Sequence, residues 1–258
     1  SAPASMTLAD TVEGVGCIAR DSVQHTGTDI LFLSDSGVRS FTRTIQEKSM
    51  PMRDISKNVR TDLTSLVPLQ TNAIKSVYSA DEAFYLLTLP DSDTTYCFDM
   101  RSPLQDGSQR ATTWSGLHPL AFTITEAGDI YFGLSSGIVE YTGYLDGTAN
   151  YQMRYFSNPM DFGNASNLKF LKKFNITIIG GQNTNATLNW GYDYSTNFTK
   201  QVFTLTGSIN AGEYGVSEYN TTAEYTATAI INTPKVNTSG NGEVVTIGIE
   251  TEINDTSF

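Results

Sequence analysis

Two histidines, two cysteines and a scatter of aspartates are the side chains of this 258-residue chain best suited to chemistry. His25 precedes a Thr-Gly-Thr turn and His118 precedes Pro119. Neither lies by a Gly-x-Ser-x-Gly elbow, a His-Glu-x-x-His pair or a Cys/His cluster, so both read as structural or surface residues. Cys17 and Cys97 are far apart and outside any CxxC spacing, which makes them small buried hydrophobes rather than redox centres. Glycoside hydrolysis needs two carboxyl groups facing each other across a sugar. Asp29, Asp35, Asp91, Asp93, Asp99 and Asp129 are the candidates to face a central pocket, yet all sit at turns or strand ends, where aspartate bonds local backbone. The Ser-x-Asp-x-Gly-x-Thr-Trp box of sialidase-like propellers is met only at Asp35 and Gly37, with Leu33 in place of the serine. Asp91-Ser92-Asp93 starts like a calcium loop, but Thr95 and Tyr96 stand where an oxygen ligand and a glycine belong. No glycine-rich loop opens a helix, and Gly180-Gly181 reads as a turn. The expectation is of no enzyme, no cofactor, and no catalytic, cofactor-binding or metal residues.

Composition points the same way. The net charge is −11, which repels nucleic acid and disfavours a DNA reader, while an acidic lumen through which DNA slides is compatible. Charged residues are 17% and aromatics 11%, with abundant Gly, Ser, Thr and Asn, a profile of short strands joined by tight turns. Asn-x-Ser/Thr triplets start at Asn164, Asn175, Asn185, Asn197, Asn220, Asn237 and Asn254, and this Asn/Thr richness explains them without glycosylation. No run of eighteen apolar residues occurs and Ser1-Ala2-Pro3-Ala4 carries no signal pattern, so the chain reads as soluble, with no membrane partner.

The elements that position these residues repeat. Asp29-Ile30-Leu31-Phe32, then Ser36-Gly37-Val38 and Phe41, returns as Asp129-Ile130-Tyr131-Phe132, Ser136-Gly137-Ile138 and Tyr141. A looser copy lies between them, from Glu82-Ala83-Phe84-Tyr85 to Thr95-Tyr96-Cys97-Phe98-Asp99. The spacings from Asp29 to Glu82 to Asp129, 53 and 47 residues, are those of β-propeller blades. Each copy predicts a hairpin, the first running from Ile30 to Thr44. Gly14 to Ala19 predicts a strand or a packing contact, and further strand signals fall at Ile74–Tyr78, Ala83–Leu89, Thr94–Met100 and Leu120–Ile124.

Residues 51–67 break the pattern: Ile55, Val59, Leu63 and Leu66 share one helical face, with Ser49 and Pro51 to start a helix and Pro68 to stop it. Beyond residue 150 clean alternation sets in at Phe174, Ile176 and Ile178, at Ala186, Leu188 and Trp190, at Val202 to Leu205, at Tyr225 to Ile231 and at Val244 to Ile253. The expected fold is all-β. Residues 1–150 form about three propeller blades with one inserted helix, and residues 151–258 form antiparallel strands that make a sandwich or complete the ring.

Gly16-Cys17-Ile18-Ala19-Arg20-Asp21-Ser22-Val23 with Asp29 to Ser40, the following helix, and Ala80 to Pro90 leading into Tyr96-Cys97-Phe98-Asp99 resemble the tail nozzle proteins of short-tailed bacteriophages. These are also called tail tubular protein B or packaged-DNA stabilisation proteins. Trp114, the third hairpin, Met160-Asp161-Phe162-Gly163 and Lys169 to Lys173 are similar in order and spacing. The resemblance implies a virion component, a hexameric ring beneath the portal and adaptor that extends the channel, retains packaged DNA and offers surfaces to fibres or spikes. It also implies a longer parent protein with blades upstream. The rival expectations are a carbohydrate-binding or glycan-cleaving propeller and a cellular scaffold propeller that docks other proteins.

Overall fold

A computed structural model describes residues 14–47, 54–143, 145–179, 184–205 and 231–254. The chain divides after Tyr141 into two units. In the first, β1 (Gln24–His25), β2 (Ile30–Ser34) and β3 (Gly37–Ser40) form one three-stranded antiparallel sheet. β4 (Lys75–Ser79), β5 (Phe84–Leu89), β6 (Thr94–Asp99) and β7 (Arg110–Ser115) form a four-stranded meander. β8 (Ala121–Ile124), β9 (Ile130–Leu134) and β10 (Gly137–Glu140) repeat the first sheet's topology.

The sequence copies coincide with these sheets, and their turns match. Thr26 donates its backbone N–H to the Asp29 carbonyl at 2.9 Å, and Thr125 does the same to Asp129 at 2.9 Å. The backbone N–H of each aspartate returns to the threonine hydroxyl, at 3.2 and 3.1 Å.

All six residues of β5 are buried, which a strand reaches only when both faces are covered. Tyr85, Leu87 and Leu89, with Tyr96 and Phe98, pack against Leu31, Leu33 and Val38 of the first sheet. Phe84 and Leu86, with Val77, pack against Ile130 and Phe132 of the third. In the shared frame of the repeat, Leu31 and Leu33 correspond to Phe84 and Leu86, while Phe132 corresponds to Tyr85. Each sheet therefore turns the same face to its successor, and the three stack in one orientation. Polar contacts brace the first junction: the buried Tyr85 hydroxyl donates to the Ser22 carbonyl at 2.8 Å, and Gln24 Nε2 donates to the Ser76 carbonyl at 3.0 Å. No sheet among the described residues closes on itself, and the first unit's three sheets form a stack rather than a complete ring.

Three local expectations are corrected. The first hairpin ends at Ser40, not Thr44, because Phe41–Glu47 turns into a short helix, α1. The Ser40 hydroxyl accepts the Arg43 N–H at 3.2 Å, and Asp29 Oδ1 accepts the Thr42 N–H at 3.0 Å. These two acceptors satisfy first-turn donors that a strand would have sent to a neighbour. The inserted helix is also shorter than the predicted 51–67. Residues 51–53 lie outside the described residues, Lys57–Val59 is a 3-10 turn, and α2 covers Arg60–Leu66. Pro68 does not end the coil at Val67 but sits within a second 3-10 turn, Val67–Leu69, where its missing N–H is tolerated. The predicted apolar stripe is real: Ile55 and Leu63 are buried and Val59 and Leu66 pack beside them. Gly14 to Ala19 forms no strand but a packing contact: Ala19 packs on the core of Leu31 and Leu33, and the Ile18 N–H bonds the Leu33 carbonyl at 2.9 Å, while Cys17 between them is exposed rather than buried.

In the second unit β11 (Tyr151–Phe156) is followed by three short strands, β12 (Lys169–Phe170), β13 (Lys173–Asn175) and β14 (Ile178–Ile179). β15 (Thr184–Tyr192) and β16 (Thr199–Leu205) form a hairpin, then β17 (Ile231–Asn232), β18 (Lys235–Asn237) and β19 (Asn241–Gly242) lead to β20 (Val245–Ile253). Sheet order is β11-β20-β15-β16, antiparallel throughout. The short strands pair as β12 with β19, β13 with β18 and β14 with β17, a two-stranded ribbon. Its Phe174, Ile176 and Val236 cover Leu188 and Trp190 on one sheet face, where Trp190 Nε1 donates to the Ser239 carbonyl at 2.9 Å. On the opposite face the rings of Phe156 and Phe198 lie 5.1 Å apart over Gly248 and Gly191. A Cβ on Gly248 would stand 2.3 Å from the Phe156 ring, so the ring seats only on a glycine. The predicted strand from Tyr225 and the Gly180-Gly181 turn fall outside the described residues, apart from Ile231.

Candidate functional site

The first unit holds a cavity of about 220 Å³. It is lined by Asp29 and Ser40 from the first sheet, Arg43 from α1, Tyr78 from β4, and Gln109 beside β7, among others. The carboxylate is already engaged. Asp29 Oδ1 accepts the N–H groups of Ile30 at 2.7 Å and Thr42 at 3.0 Å, and Oδ2 accepts the Ser40 hydroxyl. Partial burial opposes its ionisation, but these hydrogen bonds outweigh that and hold the carboxyl below its ordinary pKa. Arg43 donates to the Gly107 carbonyl at 2.6 Å. The Gln109 carboxamide is buried and its Oε1 has no hydrogen-bond partner among the described residues.

Among the described residues no histidine, cysteine or second carboxylate lines this space. The acid and base pair of a glycosidase is therefore not assembled here. The arrangement fixes α1 to the first sheet, and Asp29 is its hub.

The remaining sequence candidates are dispersed. Asp91 accepts the N–H of Asn72 at 2.8 Å and the Thr71 hydroxyl at 3.0 Å, together with the Thr71 N–H and the Asn72 side chain. Hydrogen bonds, first from the Asn72 and Thr71 backbone, lower its pKa to about 2. Asp93, two residues on, adopts a left-handed backbone (φ 48°) and turns to other partners, His118 Nδ1 at 2.7 Å and the Gly116 N–H at 3.2 Å. The two carboxylates of the calcium-like start thus serve two different loops. Asp99 accepts the Arg101 N–H at 2.9 Å, Asp129 bonds the Thr125 hydroxyl at 3.2 Å, and Asp35 is exposed in the β2–β3 turn. His25 Nδ1 accepts the Gly27 N–H at 3.2 Å. His118 and Asp93 make the one histidine–carboxylate pair among the described residues, with no serine or cysteine bonded to the ring. Burial pushes the Cys97 thiol up to about 11, which keeps it protonated and unreactive. Among the described residues no group of three metal-ligating side chains occurs, and no helix is long and apolar enough to cross a membrane.

Sequence reasoning missed the ion cluster of the buried Arg39 and Asp54 with the half-exposed Arg60. Asp54 is 2% exposed and lies 2.7 Å from Arg60 NH2 and 3.6 Å from Arg39 Nε. Its only signal was an arginine inside an apolar hairpin. The cluster ties β3 to α2 through Asp54.

No protein-family model matches the chain, and no curated protein matches it significantly.

Proposed function

We propose that this chain is a structural component of a phage tail. It is a segment of a nozzle ring that extends the DNA channel and helps retain and deliver packaged DNA. The single observation that carries the reading is the one-way stacking of the three sheets. Leu31 and Leu33 face Tyr85 and Leu87, and Phe84 and Leu86 in turn face Ile130 and Phe132. Sheets related in this way continue around an axis as propeller blades, whereas a sandwich would turn its like faces toward each other.

The segment order that resembles tail nozzle proteins supplies the tail assignment. The engagement of the aspartates in turns and caps supports a scaffold rather than a catalyst. In this reading the chain assembles with itself in a ring, a hexamer by the resemblance, between an adaptor and the fibres or spikes. Its acidic surface lets DNA pass without holding it.

Electron microscopy of the intact particle tests the proposal. Density for this chain in a ring along the tail axis is the expected result. Finding it outside the tail, or finding no ring, overturns the reading.

A further inference from the structure

We propose that copies of this chain join edge to edge through the second unit's four-stranded sheet, β16 of one copy pairing antiparallel with β11 of the next. The inference rests on the ring reading above for closure, but not for the contact itself. Because the order is β11-β20-β15-β16 and every pair is antiparallel, the two outer strands run in opposite directions. A second sheet added in the same orientation then meets the first as one more antiparallel pair. An odd number of strands would have forced a parallel seam.

Among the described residues both edges are open: neither β11 nor β16 has a partner on its outer side. Exposed sheet edges are ordinarily blunted by lysine, proline, a bulge or a covering segment. β11 has none of the first two, and all six of its residues are exposed, including Tyr151, Met153, Tyr155 and Phe156. β16 carries one lysine, Lys200, and beside it Val202, 61% exposed on the sheet face away from the ribbon.

The occupant is fixed by register. Met153 pairs with Thr251, Thr251 with Ala186, and Ala186 with Phe203, so Met153 and Phe203 end one straight row. Arg154, Glu250, Thr187 and Val202 form the next, and Phe156, Gly248, Asn189 and Lys200 the one after that. If each row runs on unbroken into a neighbouring copy, Phe203 meets Met153, Val202 meets Arg154, and Lys200 meets Phe156. No like charges oppose each other, apolar positions meet on the face the ribbon covers, and Lys200 lies beside an aromatic ring on the other face. A second copy of this chain satisfies both edges at once, which a foreign peptide on one edge does not. A contact of this head-to-tail kind closes into a ring or runs on as an open chain.

Sedimentation of the wild type, Val202→Arg, Arg154→Glu and the double variant decides the matter. Both positions are exposed, but Arg154 stands opposite Glu250 of its own chain, so circular dichroism and a thermal melt of each variant first establish that the fold is retained. Val202→Arg places a cation opposite Arg154 of the next copy and is expected to weaken self-association about tenfold, the lower range for opposed like charges at an interface. Arg154→Glu alone leaves association no weaker. Combined, the two restore it to within about threefold, since the pair becomes opposite in sign. Within one chain the two residues end opposite strands of the sheet, so rescue reports contact between copies.

A monomeric wild type, a Val202→Arg variant that associates normally, or a double variant no better than Val202→Arg overturns the inference. Rings that persist in Val202→Arg sink this contact and leave the ring reading standing. Open chains that the substitution dissolves sustain the contact and sink the ring.

Discussion

The first and third copies of the repeat share a hairpin, a turn and a threonine–aspartate lock, yet they differ in burial. Val38 is 0% exposed, and Ile138, one hundred residues later at the same place in its hairpin, is 80% exposed. Both point from the same face of their sheets. The first sheet's face meets the meander, whereas the third sheet's face meets nothing among the described residues. Backbone form is thus set locally, by glycine turns and Asp–Thr bonds, while burial is set by whether a successor exists.

Six substitutions break or sharpen this comparison. The largest effect is expected at Phe132→Ala, on the face of the third sheet that does have a neighbour. Emptying that contact with the meander costs about 3–5 kcal/mol in urea unfolding. A loss under about 1 kcal/mol would mean that the third sheet is not packed on the second. Val38→Ala should then cost about 2 kcal/mol and Ile138→Ala less than about 0.5 kcal/mol. Equal losses would show that the third sheet's open face is covered in solution.

The turn glycines separate strain from contact. Gly37 and Gly137 both have positive φ, 130° and 148°. A Cβ at Gly37 would lie 2.4 Å from Ser56 Oγ, which accepts the Val38 N–H, while at Gly137 it meets nothing within 4 Å. Alanine is therefore expected to cost about 2 kcal/mol at Gly37 and about 1 kcal/mol at Gly137, the difference being the displaced serine. Melting temperatures of the two variants measure it.

The smallest effect concerns the meander's own turn, which has no counterpart in the outer copies. Asp91 has a folded pKa of about 2 against an ordinary value of 3.8, so its contribution is complete above about pH 4 and lost as pH falls toward 2. Replacing it with asparagine should flatten that part of the stability–pH curve, and an unchanged slope would remove the carboxylate from the account.

The repeat was legible because hairpins are specified by neighbours in sequence: Ser-Gly turns, alternation and the aspartate at the strand start. The apolar stripe of α2 was legible for the same reason. What was not legible depended on distant partners. Phe41 looks like the aromatic close that Tyr141 provides, but Asp29 and Ser40 recruit it into a helix, whereas the Tyr141 N–H returns to the Ile130 carbonyl at 2.8 Å and extends the sheet. Residue type alone predicts burial for Cys17, and nothing in its spacing shows that its segment lies along the sheet's margin. That the aspartates serve turns is legible from their local sequence, but which loop each one bridges, Asp91 to Asn72 or Asp93 to His118, is decided by contacts some twenty residues away.

Phe84-Tyr85-Leu86-Leu87-Thr88-Leu89 has no wet side in the finished protein. During synthesis, however, its second covering surface emerges only when Ile130 and Phe132 leave the ribosome. Until then a nascent chain displays an adhesive, uncharged β segment of the kind that seeds clumping. The order of assembly is thereby constrained, since the hairpin at the far end must arrive before the middle of the stack is safe in water.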